Sequence, residues 1–225
     1  MSLGVVIQAR MGSTRLPGKV LRLIAGRPLL DHVIGRLTLL NHQVTVVVAT
    51  SMLSQDDVIS SWCKSIGVDC FRGNENDVLD RYLRCAQYYK FDRIVRLTAD
   101  NPFTDIEELD KLIALHERNE LDYAHSFGSM PLGVGAEIFT FDALLLSHTD
   151  GHLSHHREHV NEYIHEHSEL FRTGVLQVPA AKCAPNLRLT IDTEDDWLRA
   201  CKLANQSLDK WINTEKAIAL CLQFV

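Results

Sequence analysis

Apolar residues along this chain follow two rhythms, and they alternate. Leu3 to Ala9 is a short, nearly continuous apolar run rich in β-branched residues, the pattern of a strand buried on both faces. A polar loop from Arg10 to Gly18 follows. Pro28 then opens a segment in which Leu29, Leu30, Val33, Ile34, Leu37 and Leu40 recur at helical spacing. Val44 to Ala49 predicts a second buried strand. Ser54 to Ile66 predicts a helix capped by Ser54, with Asp56 and Asp57 suited to its first turn. Val68 to Phe71 reads as a short strand, Asp77 to Tyr89 as a helix and Arg93 to Thr98 as a fourth strand. Asp105 to Arg118 reads as a helix with Ile106, Leu109, Leu112 and Ile113 on one face.

Four strand–helix alternations with short connections predict an α/β fold of Rossmann-like type, a mostly parallel sheet with helices on both faces. Ligands of such sheets gather at the carboxyl ends of the strands. The second half is less regular. Leu121 to Phe127 predicts a strand, Gly128 to Gly135 a loop, Glu137 to Phe139 a short strand and Phe141 to Ser147 a short helix. Ser154 to His167 predicts a single helix, Phe171 to Val178 and Leu187 to Ile191 two strands, and Thr193 to Gln206 and Thr214 to Leu222 two closing helices. No repeat or linker interrupts the chain, which reads as one domain over residues 1–225.

Composition adds mainly exclusions. At 225 residues and 46% hydrophobic content the chain can bury a full core. A net charge of −6 argues against nucleic acid or an anionic membrane surface as a partner. No apolar run approaches the ~18 residues of a membrane span, and no signal-peptide pattern opens the sequence. The six cysteines form no C-x-x-C pair and read as reduced, buried thiols in a cytoplasmic protein.

The loop after the first strand carries the chemistry. Arg10, Arg15 and Lys19 are three cations within ten residues, and Gly12, Ser13, Thr14 and Gly18 supply free backbone N–H groups. Cations and backbone donors at a strand end are what a triphosphate needs. The spacing is not that of a Walker A loop, because five residues separate Gly12 from Gly18 and Val20 follows Lys19. No G-x-G-x-x-G is present. Asp100 and Asp192 each follow a predicted strand, and two such carboxylates with phosphate oxygens suit Mg²⁺. Taken singly, Asp100 also fits a turn with Asn101 and Pro102, and Asp192 a helix cap. Arg72 ends the third predicted strand and Asp80 and Arg81 lie on the next helix, where they fit either a nucleotide contact or a surface ion pair. Seven of eleven histidines fall between His148 and His167. On one helix His152, His155, His156 and His159 could gather around zinc, but no second ligand pair supports this, and a solvated polar helix is the simpler expectation.

The stretch from residue 7 to 21, I-Q-A-R-M-G-S-T-R-L-P-G-K-V-L, contains A-R-x-x-S-x-R-L-P-x-K, the opening signature of the cytidylyltransferases that activate sugar acids such as neuraminate and 3-deoxy-manno-octulosonate. The chain resembles that family, above all its spore coat polysaccharide branch. Further segments carry the resemblance: Phe71-Arg72-Gly73 with Asp77 to Tyr82, Arg96-Leu97-Thr98-Ala99-Asp100, Arg157-Glu158-His159-Val160, and Leu187 to Thr193. Asn101-Pro102-Phe103 departs from the Cys-Pro-Leu often found there. The resemblance implies a nucleotide-diphospho-sugar transferase fold that moves CMP from CTP to a sugar acid or related activated sugar, releasing pyrophosphate, in surface polysaccharide biosynthesis. It implies CTP and nucleotide contacts from Gln8, Ala9, Arg10, Gly12, Ser13, Arg15, Lys19, Arg72 and Asp80. Arg10, Lys19, Asp100 and Asp192 become the catalytic set, with Mg²⁺ held by Asp100 and Asp192. Gly133, Glu137, Arg157, Glu158, His159 and Arg188 become acceptor contacts, within an insert of about 128–180 that also serves a homodimer. Two other classes share parts of this pattern: a glycosyltransferase using a nucleotide-sugar, and a non-catalytic nucleotide-sugar binder.

Overall fold

The structure, a computed structural model, describes residues 2–206 and 210–223. Strand β1 (Leu3–Gln8) leads into the polar loop and a small hairpin of β2 (Leu23–Ile24) and β3 (Arg27–Pro28). Then come α1 (Leu29–Arg36), β4 (Thr45–Ser51), α2 (Asp57–Ser65), β5 (Asp69–Gly73), α3 (Val78–Tyr89), β6 (Arg93–Thr98) and α4 (Ile106–Arg118). The second half supplies β7 (Tyr123–His125), β8 (Glu137–Thr140), α5 (Phe141–Asp150), α6 (Ser154–Glu158), α7 (Glu162–Glu166), β9 (Thr173–Val175), α8 (Glu194–Asn205) and α9 (Thr214–Gln223).

One seven-stranded sheet runs β5-β4-β1-β6-β8-β7-β9. Strands β5, β4, β1 and β6 are parallel, and β8 alone runs against them, pairing antiparallel to both β6 and β7. This is the mostly parallel sheet the alternation predicts. The reason is visible in β1, buried on both sides: Val5 and Ile7 enter one core with α1, α2 and α4, while Val6 enters the opposite core with α3, α5 and α7. A third core joins α8 and α9 to the small hairpin and to Leu189 and Ile191. Residues 137–175 of the segment read as an insert extend the same sheet through β8 and β9.

Caps set several boundaries. Asp77 accepts from Asp80 N at 2.8 Å, Asp105 from Glu108 N at 3.0 Å, and Thr193 exchanges bonds with Asp196, each satisfying donors of a first helical turn. Four local expectations need correction. Ser54 does not cap α2; it sits in a short 3-10 turn before it, and the buried Asp56 is turned away toward the N-terminal loop. Ser154 to His167 is two helices, because His159 is extended (φ −113°, ψ 103°) and the chain drops Val160 fully into the core. The histidine spacing that assumed one helix therefore does not hold. Of Phe171 to Val178 only Thr173–Val175 pairs in the sheet. Leu187 to Ile191 makes a single bridge, Arg188 with Leu132, because β8 already occupies the place beside β6; its apolar alternation records burial under α8. Cys63, Cys85 and Cys221 are buried free thiols, whereas Cys183 is exposed.

Candidate active site

The parallel strands β1 and β6 end side by side, so the loop after β1 and Asp100 after β6 meet at one edge. The loop folds back on Met11, whose carbonyl accepts from Ser13 N at 2.9 Å and Gly18 N at 3.0 Å. Gly18 makes that return at φ +71°, a conformation costly for residues with a side chain. Met11 N in turn donates to Asp56 Oδ1 at 2.7 Å, and Asp56 Oδ2 accepts from Ser51 Oγ. A fully buried carboxylate thus fixes the loop to the end of β4. Sequence reading missed Asp56 as a loop anchor, since beside Asp57 it looks like an ordinary first-turn acid.

Lys19 is the centre of the arrangement. Only 7% exposed, it donates from Nζ to Asp100 Oδ2 at 3.0 Å, to Asp192 Oδ1 at 3.0 Å and to the Ile191 carbonyl at 2.6 Å. Arg15 reaches Asp192 Oδ1 at 3.0 Å, and Arg188 pairs with its other oxygen. Asp100 Oδ1 accepts from Thr98 Oγ1 at 2.6 Å. The two aspartates, far apart in sequence, are stitched by Ile191 N donating to the Asp100 carbonyl at 2.9 Å. Burial opposes ionisation of Asp192, but the hydrogen bond and charge of Lys19, with Arg15 and Arg188 behind, hold its carboxyl below the usual range. Asp196 accepts backbone N–H bonds from Asp192 and Thr193, and these overcome burial to hold it at about 2.

Two carboxylates meeting one cation position at the rim of a polar cavity are the hard-oxygen donor set that Mg²⁺ takes. In this geometry the Lys19 ammonium neutralises them. The histidine cluster offers a worse set. His155 and His156 each place Nε2 at 2.7 Å from one Glu166 oxygen, and Leu153 N faces His156 Nδ1 at 3.4 Å. A donor at Nδ1 leaves the ring proton on Nε2, so His156 serves as a hydrogen-bond donor to Glu166 and not as a metal ligand.

Two adjoining cavities open at this edge. One of about 360 Å³ is lined by Gln8, Arg10, Ser13, Arg15 and Lys19 of the loop side and by Glu158 and His159 opposite. The other, about 300 Å³, is lined by Glu137, Arg188, Asn101, Phe127 and Leu132 among others. Arg96, Thr98, Asp100 and Asp192 border both. Ala9 is buried beneath the loop and Gly12 lies against Gln55. Gly133 (φ +92°) lets the loop before β8 press on the Thr190 backbone, where a Cβ would stand 2.6 Å from Thr190 N.

Ala9, Gly12 and Gly133 are thus absent from both cavity linings, and three further expected contacts are turned to other partners. Arg72 is spent on Asp57 at 2.6 Å and on the Ser51 and Leu53 carbonyls. Asp80 holds His148 at 2.9 Å and Arg84 at 3.3 Å. Arg157 holds Asp77 at 2.9 Å and the His148 carbonyl at 2.9 Å. The last two pairs bind α3 to α5 and α6, so these residues support the wall of the cleft without lining it. Arg96, Thr98 and Asn101, which the sequence reading did not single out as site residues, do line it. Their sequence signals are their places beside Asp100 and the family resemblance of the segment Arg96 to Asp100, from which Asn101 departs.

Comparison with known proteins gives the family and the fold. The profile of a family described as Cytidylyltransferase matches residues 4–220. The chain is 40% identical to the spore coat polysaccharide biosynthesis protein SpsF of Bacillus subtilis over 85% of this chain and 82% of that protein. It is 41% identical to an uncharacterized protein of Methanocaldococcus jannaschii over 85% of this chain and 79% of that one. A solved structure described as a cytidylyltransferase from Leptospira borgpetersenii superposes with a TM-score of 0.93 at 33% identity, covering 100% of this chain and 95% of that one. A CMP-2-keto-3-deoxy-manno-octonic acid synthetase solved with CTP shares the fold, with a TM-score of 0.71 at 17% identity over 92% of this chain and 100% of that one.

Proposed function

Because the chain belongs to the cytidylyltransferase family, we propose that it transfers CMP from CTP to a hydroxyl of a sugar acid or a related activated sugar, releasing pyrophosphate, as a step toward a surface polysaccharide. The observation that carries this reading is the convergence of the loop cations on Asp100 and Asp192 across two adjoining cavities. The loop-lined cavity takes the triphosphate: Arg10, Arg15 and the backbone N–H groups between them meet phosphate oxygens, and Lys19 follows the negative charge when it leaves the aspartates. The second cavity takes the acceptor, so that its hydroxyl approaches the α-phosphorus beside the aspartates. Asp100 and Asp192 would hold Mg²⁺, which when bound supplies charge neutralisation at the phosphate and lowers the pKa of the attacking hydroxyl. The protein's own contribution is positioning and electrostatics, as phosphoryl and nucleotidyl transfer require, with no covalent nucleophile. Lys19 and the arginines stabilise the departing pyrophosphate.

The test is pyrophosphate release from CTP, UTP, ATP or GTP with Mg²⁺ and a panel of keto-sugar acids and sugar phosphates. Turnover with CTP and a sugar acid is expected. Folded protein that releases no pyrophosphate with any pair overturns the reading, and tighter binding of CMP than of CTP turns it toward a nucleotide-sugar enzyme.

A further inference from the structure

We propose that Arg22 is a positioning residue: by gripping Glu194 and Trp197 it holds the turn that carries Lys19 at a fixed reach from Asp192, so that Lys19 passes from the aspartates to an entering triphosphate without its backbone moving. This rests on the triphosphate-binding part of the reading above. Nothing in residue order points to it, since Arg22 and Glu194 stand 172 residues apart.

Arg22 closes the 3-10 turn Lys19–Leu21. Its N–H donates to the Lys19 carbonyl at 3.1 Å, and its own carbonyl accepts from Leu29 N at 2.9 Å across the small hairpin. The Arg22 backbone is therefore tied directly to that of Lys19. Its guanidinium makes a two-pronged pair with Glu194, Nη1 to Oε2 at 2.5 Å and Nη2 to Oε1 at 2.6 Å. Its Cζ lies 3.6 Å from the centre of the Trp197 ring. The edge of the planar group meets the carboxylate and its face meets the indole, a combination that the point charge of a lysine does not reproduce. Glu194 and Trp197, three residues apart, share a face of the first turn of α8. The same turn anchors Asp192, whose N–H donates to Asp196 Oδ2 at 3.0 Å. One helical turn thus holds the backbone of Asp192 on one side and that of Lys19 on the other.

The clamp matters when the site fills. In this geometry Lys19 Nζ itself ties its turn to Asp192 at 3.0 Å. A triphosphate that draws the ammonium away breaks that tie. Arg22 and Glu194 line neither cavity, so a ligand there does not compete for them and their pair persists. Without it the turn spends part of its time out of reach, and an apparent dissociation constant rises in inverse proportion to the competent fraction. The side chains of Arg22 and Glu194 are 33% and 52% exposed, and ion pairs so placed add little to global stability. Charge alone predicts the opposite sign at Glu194: a carboxylate two residues from Asp192 repels a triphosphate, so neutralising it tightens binding unless the clamp is lost with it.

The experiment is calorimetric binding of CTP and of inorganic triphosphate, each with Mg²⁺. Glu194→Gln, close to isosteric, is expected to weaken both roughly fivefold and Arg22→Ala roughly tenfold, with Arg22→Lys between them. In a Lys19→Gln background either substitution is expected to change affinity by less than about twofold, because Lys19 is the group the clamp positions and a merely structural loss would persist there. Unchanged or tighter binding by Glu194→Gln overturns the proposal, as does an effect undiminished in the Lys19→Gln background. Should Arg22→Ala fail to fold, Glu194→Gln decides by the same two outcomes. An unmodified protein that binds neither CTP nor triphosphate overturns this proposal together with the reading beneath it. Binding of both, with no pyrophosphate release from any nucleotide, sinks the transfer reading alone.

Discussion

The two ends of the central sheet make opposite uses of charge. At the carboxyl end, Lys19, Arg15 and Arg188 converge on Asp100 and Asp192, and the cavities are small and polar-edged. At the amino end of β6 lies a larger cavity of about 830 Å³, lined by Phe91, Phe141, Arg93, His116 and Arg172 among others. There the charges are tied off locally: Arg93 pairs with Glu117 and Arg172 with Asp122. His116 is 2% exposed, and burial first, then the charge of Arg93, pushes its imidazole down to about 4, so it is neutral at pH 7. Volume therefore does not choose the site. Strand direction does, because parallel strands deliver their following loops to one edge, where Lys19, Arg15, Asp100 and Asp192 meet from distant parts of the chain.

The sharpest way to break this contrast is at the aspartates. Asp100→Asn and Asp192→Asn are each expected to lower pyrophosphate release at saturating CTP by about 10³-fold, the scale of several kcal/mol of transition-state stabilisation. Near-normal turnover in either variant, with circular dichroism showing a folded protein, would move the reaction away from this end of the sheet. Asp56→Ala should have a smaller effect. It leaves the Met11 N–H without its acceptor, a loss of about 1–3 kcal/mol, so the KM for CTP is expected to rise roughly tenfold with kcat less changed. Equal loss in kcat and no change in KM would show that Asp56 does not act through the loop.

The smallest effect on activity is predicted at the opposite end. His116→Phe should leave turnover within twofold, while changing the acid side of the stability profile. The folded pKa of His116 is depressed below that of the unfolded chain, so its contribution is complete above about pH 6.5 and is lost as pH falls toward 4. Thermal melts at pH 7 and pH 4.5 are expected to show a smaller acid-induced drop in the variant, on the order of a few kcal/mol at most. An identical drop in both proteins would mean that His116 is not the group protonated on unfolding.

Much of this was legible in residue order. The alternation through Arg118 predicted the parallel half of the sheet, because strands buried on both faces must be apolar throughout and helices covering them must be apolar on one side. The loop cations and Asp100 were legible because charged residues placed directly after such strands emerge at the carboxyl edge, whereas Asp192 reaches that edge behind a segment that makes only a single bridge. The second half was harder to read for the same physical reason inverted. Leu187 to Ile191 alternates like a strand but is buried by α8 without a ladder, and Ser154 to His167 looks like one helix until Val160 is pulled into the core.

Sequence alone thus placed the loop cations and Asp100 at the carboxyl edge of the sheet. Only the tertiary structure decided which charges are free to meet a ligand. Arg72, Asp80 and Arg157 have the right residue types, but each is spent on a neighbour that is remote in sequence or on another element. Arg96 and Asn101 were noticed in the sequence only through the family resemblance, yet folding makes both border the same cavity and leaves each with one buried polar atom unpaired. Hydrogen-bond satisfaction is a property of three-dimensional neighbours, and no spacing along a chain encodes it.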